Sequence, residues 1–407
     1  MVKKKMLNDP IYGMMSFEYD VLYRIIDHPY FQRLRRISQL ALSHYVYPGA
    51  QHTRFQHAIG SLHLLTQTLH SLKGKGVYIS IEEWKGVSIA ILLHDIGHGP
   101  FSHALEGKIL PLSHEKISYR VMNIIESDLN EDFSLAKLIY KNEYPRKFLN
   151  QLVSSQLDMD RMDYLTRDSF FSGVAEGIIG YDRIIKMLNV VDDTLVVEEN
   201  GLFSIEKFLV ARKLMYWQVY LHKAAIASEQ MLVSTFQRIK DLIFEDDPFP
   251  FPENLKKILL GASSDPEDHL IHAYMSLDDV DFMYLMKQGI NHRDKILQLL
   301  CTSVINRNLF KIILTTDKGP ISDIPEAKKN ILNYLKINES DIQYFYVHGR
   351  ESFLEYNHQK DEIIFLMKGG ELIPFSELNK DYSTKKTITK NTLCFWSPDS
   401  MKVESIQ

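Results

Sequence analysis

The chain has 407 residues, a formal net charge of −5 and a pI near 6.4. A single hydrophobic core stops growing at about 250 to 300 residues, so we expect one large domain with a smaller appendage. Apolar residues make up 45% and charged residues 24% of the chain, which is typical of globular proteins. The chain lacks the basic excess that binding to nucleic acid without sequence preference requires, although a local cluster of cations could hold a small anion.

Cysteine usage and hydropathy indicate a cytoplasmic protein. Only Cys301 and Cys394 are present, which excludes a disulfide framework. The lysines at positions 3–5 are not followed by the apolar core of a signal peptide. The longest apolar stretches, such as residues 87–93, are far shorter than the roughly 20 residues that cross a bilayer.

The first predicted helices lie within residues 17–45, where apolar residues follow a helical spacing and Pro29 divides the stretch in two. The next helix is predicted over residues 54–71, with His57 near its start. Its apolar positions describe one face, so we expect that face to pack against the core.

The helix that follows has the clearest start signal. Ser80 and Glu83 form a capping-box pattern, in which each side chain pairs with a backbone N–H that the first turn leaves free. From Trp84 onward the helix is apolar nearly all round, which is typical of a buried core helix. We expect this helix to end at His94 and Asp95.

The remaining elements complete a mainly α fold. A helix over residues 151–170 places Asp160, Tyr164 and Asp168 on one stripe. Further helices are predicted over residues 204–244, 253–260 and 276–310. Beyond residue 311, β-branched and aromatic runs predict strands at 312–315, 343–347 and 362–367. We therefore expect a helical domain over residues 1–310 and a small α+β region over residues 311–407, which would act as a lid or an assembly surface.

The pair His94 and Asp95 is the first candidate for chemistry. It lies at the carboxyl end of an apolar helix, where buried ionisable groups are costly unless they are paired or bind a metal. A capped helix end with an interior hydrogen bond is the structural alternative. Three more histidines, His98, His103 and His114, follow on a segment that contains glycine and proline. A loop with several histidines beside a buried acid favours a site.

Three stretches of the chain resemble the HD-domain phosphohydrolases, and among them the deoxynucleoside triphosphate triphosphohydrolases of the sterile-alpha-motif and HD-domain type. They read HTRFQHAIG at 52–60, LLHDIGHGPFSHALEG at 92–107 and LDMDRMDYLTRDS at 157–169. The similarity extends through residues 8–13, 31–40, 47–55 and 307–311. It covers roughly the first 310 residues, and its motifs stand in the family's order. The resemblance implies a helical HD-domain core.

The resemblance assigns the metal ligands to His57, His94, Asp95 and Asp160. Two imidazoles and two carboxylates leave coordination sites open for water and a phosphate oxygen, and they suit Mn, Fe, Zn or Mg. The implied reaction is attack of a metal-bound hydroxide on the α-phosphorus of a dNTP, with release of deoxynucleoside and inorganic triphosphate. A second Mg would bind with the substrate phosphates.

Further catalytic roles follow from the same resemblance. His103 would protonate the leaving oxygen, and Glu106, where the family usually has Asp, would orient it. His98 and His114 match positions that contact the α-phosphate, where imidazole donors stabilise developing charge. For Glu106 alone, a residue on a helix surface is an equally good interpretation.

Substrate contacts are implied at the phosphates and at the sugar. The phosphate contacts are Arg54, Arg161 and Arg212, with Tyr164 and Tyr220 nearby. The sugar contacts are Gln39, Leu40 and Asp168, with Leu40 under the position where a 2′-hydroxyl would clash. These contacts favour a deoxyribonucleotide, but any of these side chains could instead be an ordinary salt-bridge or core residue. Leu221 stands where the best-known member has glutamine, which leaves base preference and sugar discrimination open.

The resemblance also implies regulation by an activating guanine nucleotide and assembly into a homodimer or homotetramer. The matching positions are Lys5, Asn8, Asp27, Gln32, Arg35, His222, Lys223, Arg307 and Lys311. The segment 192–199 is acidic where the best-known member supplies Arg and Lys. A surface charge network is therefore an alternative to a nucleotide site.

The main hypothesis is thus a dNTP triphosphohydrolase that acts in the cytoplasm. One alternative is an HD phosphohydrolase that acts on another nucleotide or phosphoester. A second is a nucleotide-binding regulator without turnover, which the intact ligand set disfavours. Binding to single-stranded nucleic acid is a minor alternative, because the chain has no basic stripe interleaved with aromatic residues.

Overall fold

The computed structural model describes residues 5–261, 268–316, 319, 321–357, 359, 361–383 and 387–398. Its helices are α1 (Asp20–Asp27), α2 (Pro29–Arg33), α3 (Arg54–Gly74), α4 (Ile81–Leu93), α5 (His114–Leu129), α6 (Ser134–Tyr140), α7 (Lys147–Val153), α8 (Met159–Ser172), α9 (Tyr181–Met187), α10 (Leu202–Met215), α11 (Lys223–Phe244), α12 (Glu253–Gly261), α13 (Asp268–Met275), α14 (Asp279–Gly289), α15 (Lys295–Ile305), α16 (Pro325–Leu335) and α17 (Phe375–Leu378). The predicted mainly α fold is confirmed.

The strands form three small sheets. They are β1 (Leu7–Asp9), β2 (Gly13–Met15), β3 (Leu188–Val191), β4 (Thr194–Glu198), β5 (Lys311–Thr315), β6 (Tyr346–Leu354), β7 (Ile364–Leu366), β8 (Leu372–Pro374) and β9 (Thr387–Phe395). The sheet orders are β1-β2, β3-β4-β7-β8 and β5-β9-β6. The hairpins β1-β2 and β3-β4 lie within the helical part of the chain, where no strand was predicted.

The central helices begin where the sequence signals place them. Ser80 caps α4 and forms the predicted capping box with Glu83, whose carboxylate accepts from the Ser80 N–H at 2.9 Å. Thr53 and Gln56 form a second capping box at the start of α3. Asp158 caps α8 by accepting from the N–H of Arg161 at 2.7 Å. These caps fix the first turns, and therefore the positions of the candidate ligands near them.

Helix α3 packs against both α4 and α8, and the predicted ligands lie on α3, on α8 and directly after α4. Gly60 permits the close approach of α3 to α8, because a Cβ atom at this position would lie 2.1 Å from the Asp163 carboxylate and 2.3 Å from the Arg167 guanidinium. Gly97 plays the same part beyond α4, since a Cβ there would lie 2.3 Å from the carbonyl of His114. These glycines bring the polar side chains of separate elements together.

Three predicted helices are interrupted. Residues 151–170 divide into α7 and α8, with a loop between them, so Asp160 lies in the first turn of α8. The stretch 204–244 is broken by a π-helical turn at Tyr216–Tyr220, after which His222 caps α11. The stretch 276–310 divides into α14 and α15, because Asp294 caps a new helix by accepting from Leu297 N–H. The π turn places Tyr220 beside α8.

The strands after residue 311 pack onto the helical part. β7 pairs in parallel with β4, and Phe353 of β6 stacks on Tyr216 with ring centroids 3.9 Å apart. The core is one continuous hydrophobic cluster that includes Leu165 of α8, Phe208 of α10 and Phe365 of β7. The division at residue 311 stays a prediction, and parts of the range 311–407 lie outside the described residues. None of the described helices has the length and apolar character needed to cross a membrane.

Candidate active site

The predicted ligands meet between α3, α8 and the end of α4. The Nε2 atom of His57 lies 3.1 Å from Asp160 Oδ1 and 3.6 Å from Asp95 Oδ2. The Nε2 atom of His94 lies 3.6 Å from Asp160 Oδ1 and 3.5 Å from Asp95 Oδ1. Four side chains from three elements therefore direct ring nitrogens and carboxylate oxygens at one point. His57, His94 and Asp160 form a group that could hold a metal ion.

The hydrogen bonding of the two imidazoles fits a bound cation. Among the residues that the structure describes, the buried Nε2 atoms of His57 and His94 have no hydrogen-bond partner. Their Nδ1 atoms are engaged, with Asp163 Oδ2 at 2.8 Å from His57 and the carbonyl of Ile91 at 2.6 Å from His94. Metal-ligating histidines are held through their other nitrogen in this way. The donor set thus fits a divalent metal.

Asp163 belongs to a buried ion-pair network behind the ligands. Arg167 donates from Nε and Nη2 to both oxygens of Asp163 at 2.9 Å and from Nη1 to Asp9 at 2.8 Å. Burial raises the pKa of Asp163, but the Arg167 and His57 cations outweigh burial and lower it. Burial lowers the pKa of His57, whereas Asp160 and Asp163 raise it to about 10. The ionised acids favour a cation at His57, either a proton or a metal.

Asp95 is held by a further cation. Arg54 forms an ion pair with Asp95, and its Nε donates to Ser102 Oγ at 2.7 Å. Burial raises the pKa of Asp95, while His94 and Arg54 hold it well below its usual range. Arg54, predicted as a phosphate contact, is thus already engaged with a metal-ligand candidate.

The predicted catalytic histidines form a second cluster next to Asp95. Glu106 joins His103 and His114 through ring nitrogens at 2.8 and 2.6 Å, and it also accepts from the His114 N–H at 2.9 Å. His98 stacks on His114 with ring centroids 3.9 Å apart, and its Nε2 lies 3.5 Å from Asp95 Oδ1. Glu106 is therefore not an isolated surface residue. The catalytic roles of these residues stay predictions.

The residues of this cluster differ in pKa shift and in exposure. Burial raises the pKa of Glu106, but hydrogen bonds from His103 and His114 outweigh burial and hold it well below its usual range. Burial and the Arg54 cation lower the pKa of His98 well below its usual range, so His98 is neutral. The side chain of His103 is 67% exposed, so among these histidines it has the most direct access to solvent and ligand.

Two of the cations predicted at the substrate phosphates, Arg161 and Arg212, contact the same loop. Arg161 follows Asp160 in α8 and donates from Nε to the carbonyl of Ser155 at 2.6 Å. Arg212 of α10 is buried and donates to Gln156 at 3.3 Å. The structure thus anchors both guanidinium groups on the loop between α7 and α8.

Two of the residues predicted at the sugar, Gln39 and Asp168, belong to a separate group of contacts around His52. Asp168 is buried and bonded through both oxygens, to His52 Nε2 at 2.7 Å and to the Tyr220 hydroxyl at 2.5 Å. Gln39 lies next to this pair, because its N–H donates to the carbonyl of His52 at 3.0 Å. The ring of Tyr164 contacts the ring of Tyr220 edge-on, with centroids 6.4 Å apart. Leu40, partly buried, packs against the core.

Leu221, the departure at the base or sugar position, is 8% exposed and belongs to the core. Its hydrocarbon side chain cannot form the polar contact that a glutamine offers.

The predicted regulatory positions form surface contacts within the chain. Lys5 pairs with Asp27, and Arg35 donates to Gln32 at 2.9 Å. Arg307 donates to the carbonyl of Tyr45 at 2.7 Å. The remaining positions lie at the start of α11 (His222 and Lys223), in β1 (Asn8) and in β5 (Lys311).

The acidic segment 192–199 is the β3-β4 hairpin and the turn after it. Asp193 pairs with Arg146 at 2.7 Å and Glu198 with Lys75 at 2.7 Å. Glu199 accepts from the N–H of Lys368 at 2.9 Å. These contacts favour the surface charge network over a nucleotide site in this segment.

Sequence reasoning missed the residues that position the ligands. Asp163 lies one helical turn after Asp160 on α8, a spacing that could have indicated a second acid at the site. His52 precedes the α3 cap within the motif at 52–60 and holds Asp168. For Arg167, which joins α8 to the β1-β2 hairpin through Asp9, the local pattern carried no signal.

The chain resembles known protein families and a solved structure. The HD domain model matches residues 54–168, and the HD associated region matches residues 179–246. A phosphohydrolase of Bacteroides thetaiotaomicron, known from a crystal structure, is 43% identical, with a TM-score of 0.92 over 97% of this chain and 100% of that chain. The chain belongs to the HD-domain phosphohydrolases. It is therefore a hydrolase.

Two further relatives are similar in sequence to this chain. The uncharacterised protein YwfO of Bacillus subtilis is 32% identical over 323 residues, which are 76% of this chain and 72% of YwfO. Human deoxynucleoside triphosphate triphosphohydrolase SAMHD1 is 29% identical over 394 residues, which are 83% of this chain and 61% of SAMHD1. The family resemblance predicted from the motifs is confirmed.

Proposed function

We propose that the protein is a metal-dependent triphosphohydrolase that cleaves dNTPs into deoxynucleoside and inorganic triphosphate. The observation that carries this proposal is the arrangement around the ligands. Arg161 and Arg212 are held by the loop before α8, whereas Asp168, paired with His52, lies further along α8, so the chain offers one group to the phosphates and another to the sugar of a substrate. The similarity to SAMHD1 supports the same substrate class.

His57, His94, Asp95 and Asp160 would hold the divalent metal. When bound, the metal neutralises phosphate charge as a Lewis acid and lowers the pKa of water at the site. Asp163 and the Ile91 carbonyl keep the two imidazoles oriented toward it. Mn, Fe, Zn and Mg all remain candidates, and a second Mg with the substrate phosphates belongs to the same proposal.

The second cluster would supply the proton. Glu106 stays ionised and holds His103 and His114 at fixed orientations. His103 would give its proton to the leaving 5′-oxygen, while His114 and the neutral His98 would offer N–H donors to the phosphate at the reacting centre. Arg161 and Arg212 would balance the remaining phosphate charge as planar, permanently charged donors.

The decisive experiment is a panel of the four dNTPs with Mn or Mg, with and without GTP, followed by product analysis. We expect inorganic triphosphate and deoxynucleoside in equal amounts. If no reaction releases triphosphate, this function is wrong. Orthophosphate or pyrophosphate as the product would favour the second candidate, an HD phosphohydrolase with another nucleotide substrate, which buried Leu221 keeps open at the base position.

Regulation and assembly form a separate part of the proposal. A guanine nucleotide would bind at the surface positions around the Lys5–Asp27 and Arg35–Gln32 contacts of a homodimer or homotetramer. Light scattering with and without GTP measures the mass of the assembly. A monomer under both conditions, with equal activity, would exclude this part and leave the hydrolytic proposal intact.

A further inference from the structure

A polar chamber of about 530 Å³ lies between α7, β4 and the described residues Asn357, Asp361 and Glu362. Its lining includes Arg161 and Arg212, the cations predicted at the substrate phosphates, together with Lys147, Asn150 and Asn357. Ligand sites in proteins usually measure about 300 to 1,000 Å³. The chamber therefore has the size of a ligand site, and its lining offers more polar side chains than the two cations assigned to the substrate.

Two buried polar side chains of the chamber wall hold unpaired atoms. Arg212 is 7% exposed and Asn357 is 9% exposed. Within the described parts of the chain, Arg212 Nε and Asn357 Oδ1 have no hydrogen-bond partner. Buried polar groups are nearly always paired, so unpaired ones at a cavity wall indicate a ligand or water that completes them. Rotation of the Asn357 amide by half a turn presents its NH₂ group as a donor instead.

The charges of the chamber select an anion. Its cations are Arg161, Arg212 and Lys147. Its acids are already engaged by protein donors: Asp361 accepts from the Gln156 N–H at 2.6 Å, and Glu362 accepts from Ser376 N–H at 3.0 Å. Three cations and several amide side chains in one chamber suit a chain of phosphates better than a single phosphate.

We propose that this chamber binds phosphates beyond the third of a linear polyphosphate chain, a proposal that takes the position of the nucleoside from the proposed function. Deoxynucleoside tetraphosphates are then substrates. In the reaction a water oxygen bonds to the α-phosphorus, and the bond from that phosphorus to the 5′-oxygen breaks. The 5′-oxygen takes up a proton, so the products are deoxynucleoside and linear tetraphosphate.

The test is calorimetric binding of orthophosphate, tripolyphosphate and tetrapolyphosphate to the Mn-loaded protein. We expect tetrapolyphosphate to bind most tightly. The variants Lys147→Ala and Asn357→Ala should bind it about tenfold more weakly, the effect of one lost charge-assisted hydrogen bond, and bind orthophosphate as the wild type does. Lys287→Ala, which removes an exposed lysine of α14, is the matched control. Because Lys147 is exposed, its replacement leaves the fold intact. Equal affinity of the wild type and Lys147→Ala for tetrapolyphosphate overturns the proposal.

Turnover separates this proposal from the proposed function. We expect the ratio of kcat/KM for deoxyguanosine tetraphosphate to that for dGTP to fall about tenfold in Lys147→Ala, because only the longer chain reaches this residue. Binding of tetrapolyphosphate that depends on Lys147, in a protein that hydrolyses no dNTP, would support the chamber and refute the triphosphohydrolase. Hydrolysis of dGTP, with a kcat/KM ratio that Lys147→Ala leaves unchanged, would support the triphosphohydrolase and refute the chamber.

Discussion

The two histidine clusters of the site differ in what their ring nitrogens contact. In the ligand cluster, His57 and His94 each have one nitrogen fixed by the protein and one that is buried and, among the described residues, unpaired. In the second cluster, His103 and His114 each direct a ring nitrogen at Glu106, and His103 is mostly exposed. Two buried nitrogens that face the same carboxylates suit an ion, whereas a nitrogen held by a carboxylate beside solvent suits proton transfer.

The acids of the two clusters show the same contrast. Asp163 lies behind His57 in a buried network that holds it ionised through Arg167. Glu106 relies on histidines alone, at a partly exposed position. We therefore expect changes in the first cluster to act on metal content, and changes in the second to act on rate with the metal retained.

The largest effect should follow from Asp160→Ala. This change removes a ligand that lies between both imidazoles, so metal content by elemental analysis and hydrolysis should be lost together. Asp182→Ala, an exposed aspartate of α9, is the matched control. An Asp160→Ala protein that still hydrolyses nucleotides with its metal in place would show that the ligand cluster is assigned wrongly.

His103→Gln should keep the metal and lose rate. A positioned general acid contributes about 10²- to 10⁴-fold to a rate, and we expect kcat to fall within this range while metal content is unchanged. His70→Gln, at an exposed position on α3, is the control. Loss of metal from His103→Gln would remove the distinction between the clusters, and an unchanged kcat would exclude His103 as the acid.

Asp163→Asn tests how far the network behind the ligands matters. Loss of a residue that orients a metal ligand usually costs about 10- to 100-fold in metal affinity, and we expect that loss in a competition titration with a chelator. Asp9→Asn is the matched control, since it weakens the same Arg167 pairing without contacting His57. Equal metal affinities of the two variants would show that Asp163 acts on stability alone.

Two of the candidate ligands lie beside a local signal in the sequence. His57 follows the capping box of Thr53, and His94 ends the helix that Ser80 begins. The family motifs assigned Asp160 among several acids, and its role as a ligand stays a prediction. The break before α15 was not predicted, although Asp294 is a good N-cap residue.

Other features depend on contacts between distant parts of the chain. The parallel pairing of β4 with β7 joins strands more than a hundred residues apart, and no local pattern encodes it. The π turn at Tyr216–Tyr220 keeps a helical periodicity while shifting the register by one residue, so the sequence predicted an unbroken helix. The chamber is lined by residues of α7 and β4 and by Asn357, Asp361 and Glu362, which are distant in sequence. It can therefore be recognised only in the folded chain.

The smallest effect concerns the stability that Glu106 provides. Its pKa is lower in the folded protein than in the unfolded chain, where glutamate titrates near pH 4.3, so ionised Glu106 stabilises the fold above about pH 4.3 and loses this effect as the pH falls further. In urea unfolding of the metal-free protein, we expect Glu106→Gln to be less stable by about 1 kcal/mol at pH 7. The difference from wild type should shrink below about pH 4. Glu377→Gln, at an exposed position, should show no such trend. If the difference in unfolding free energy between wild type and Glu106→Gln were independent of pH, the carboxylate would contribute through packing rather than through charge. The contrast between the two clusters would then rest on exposure alone.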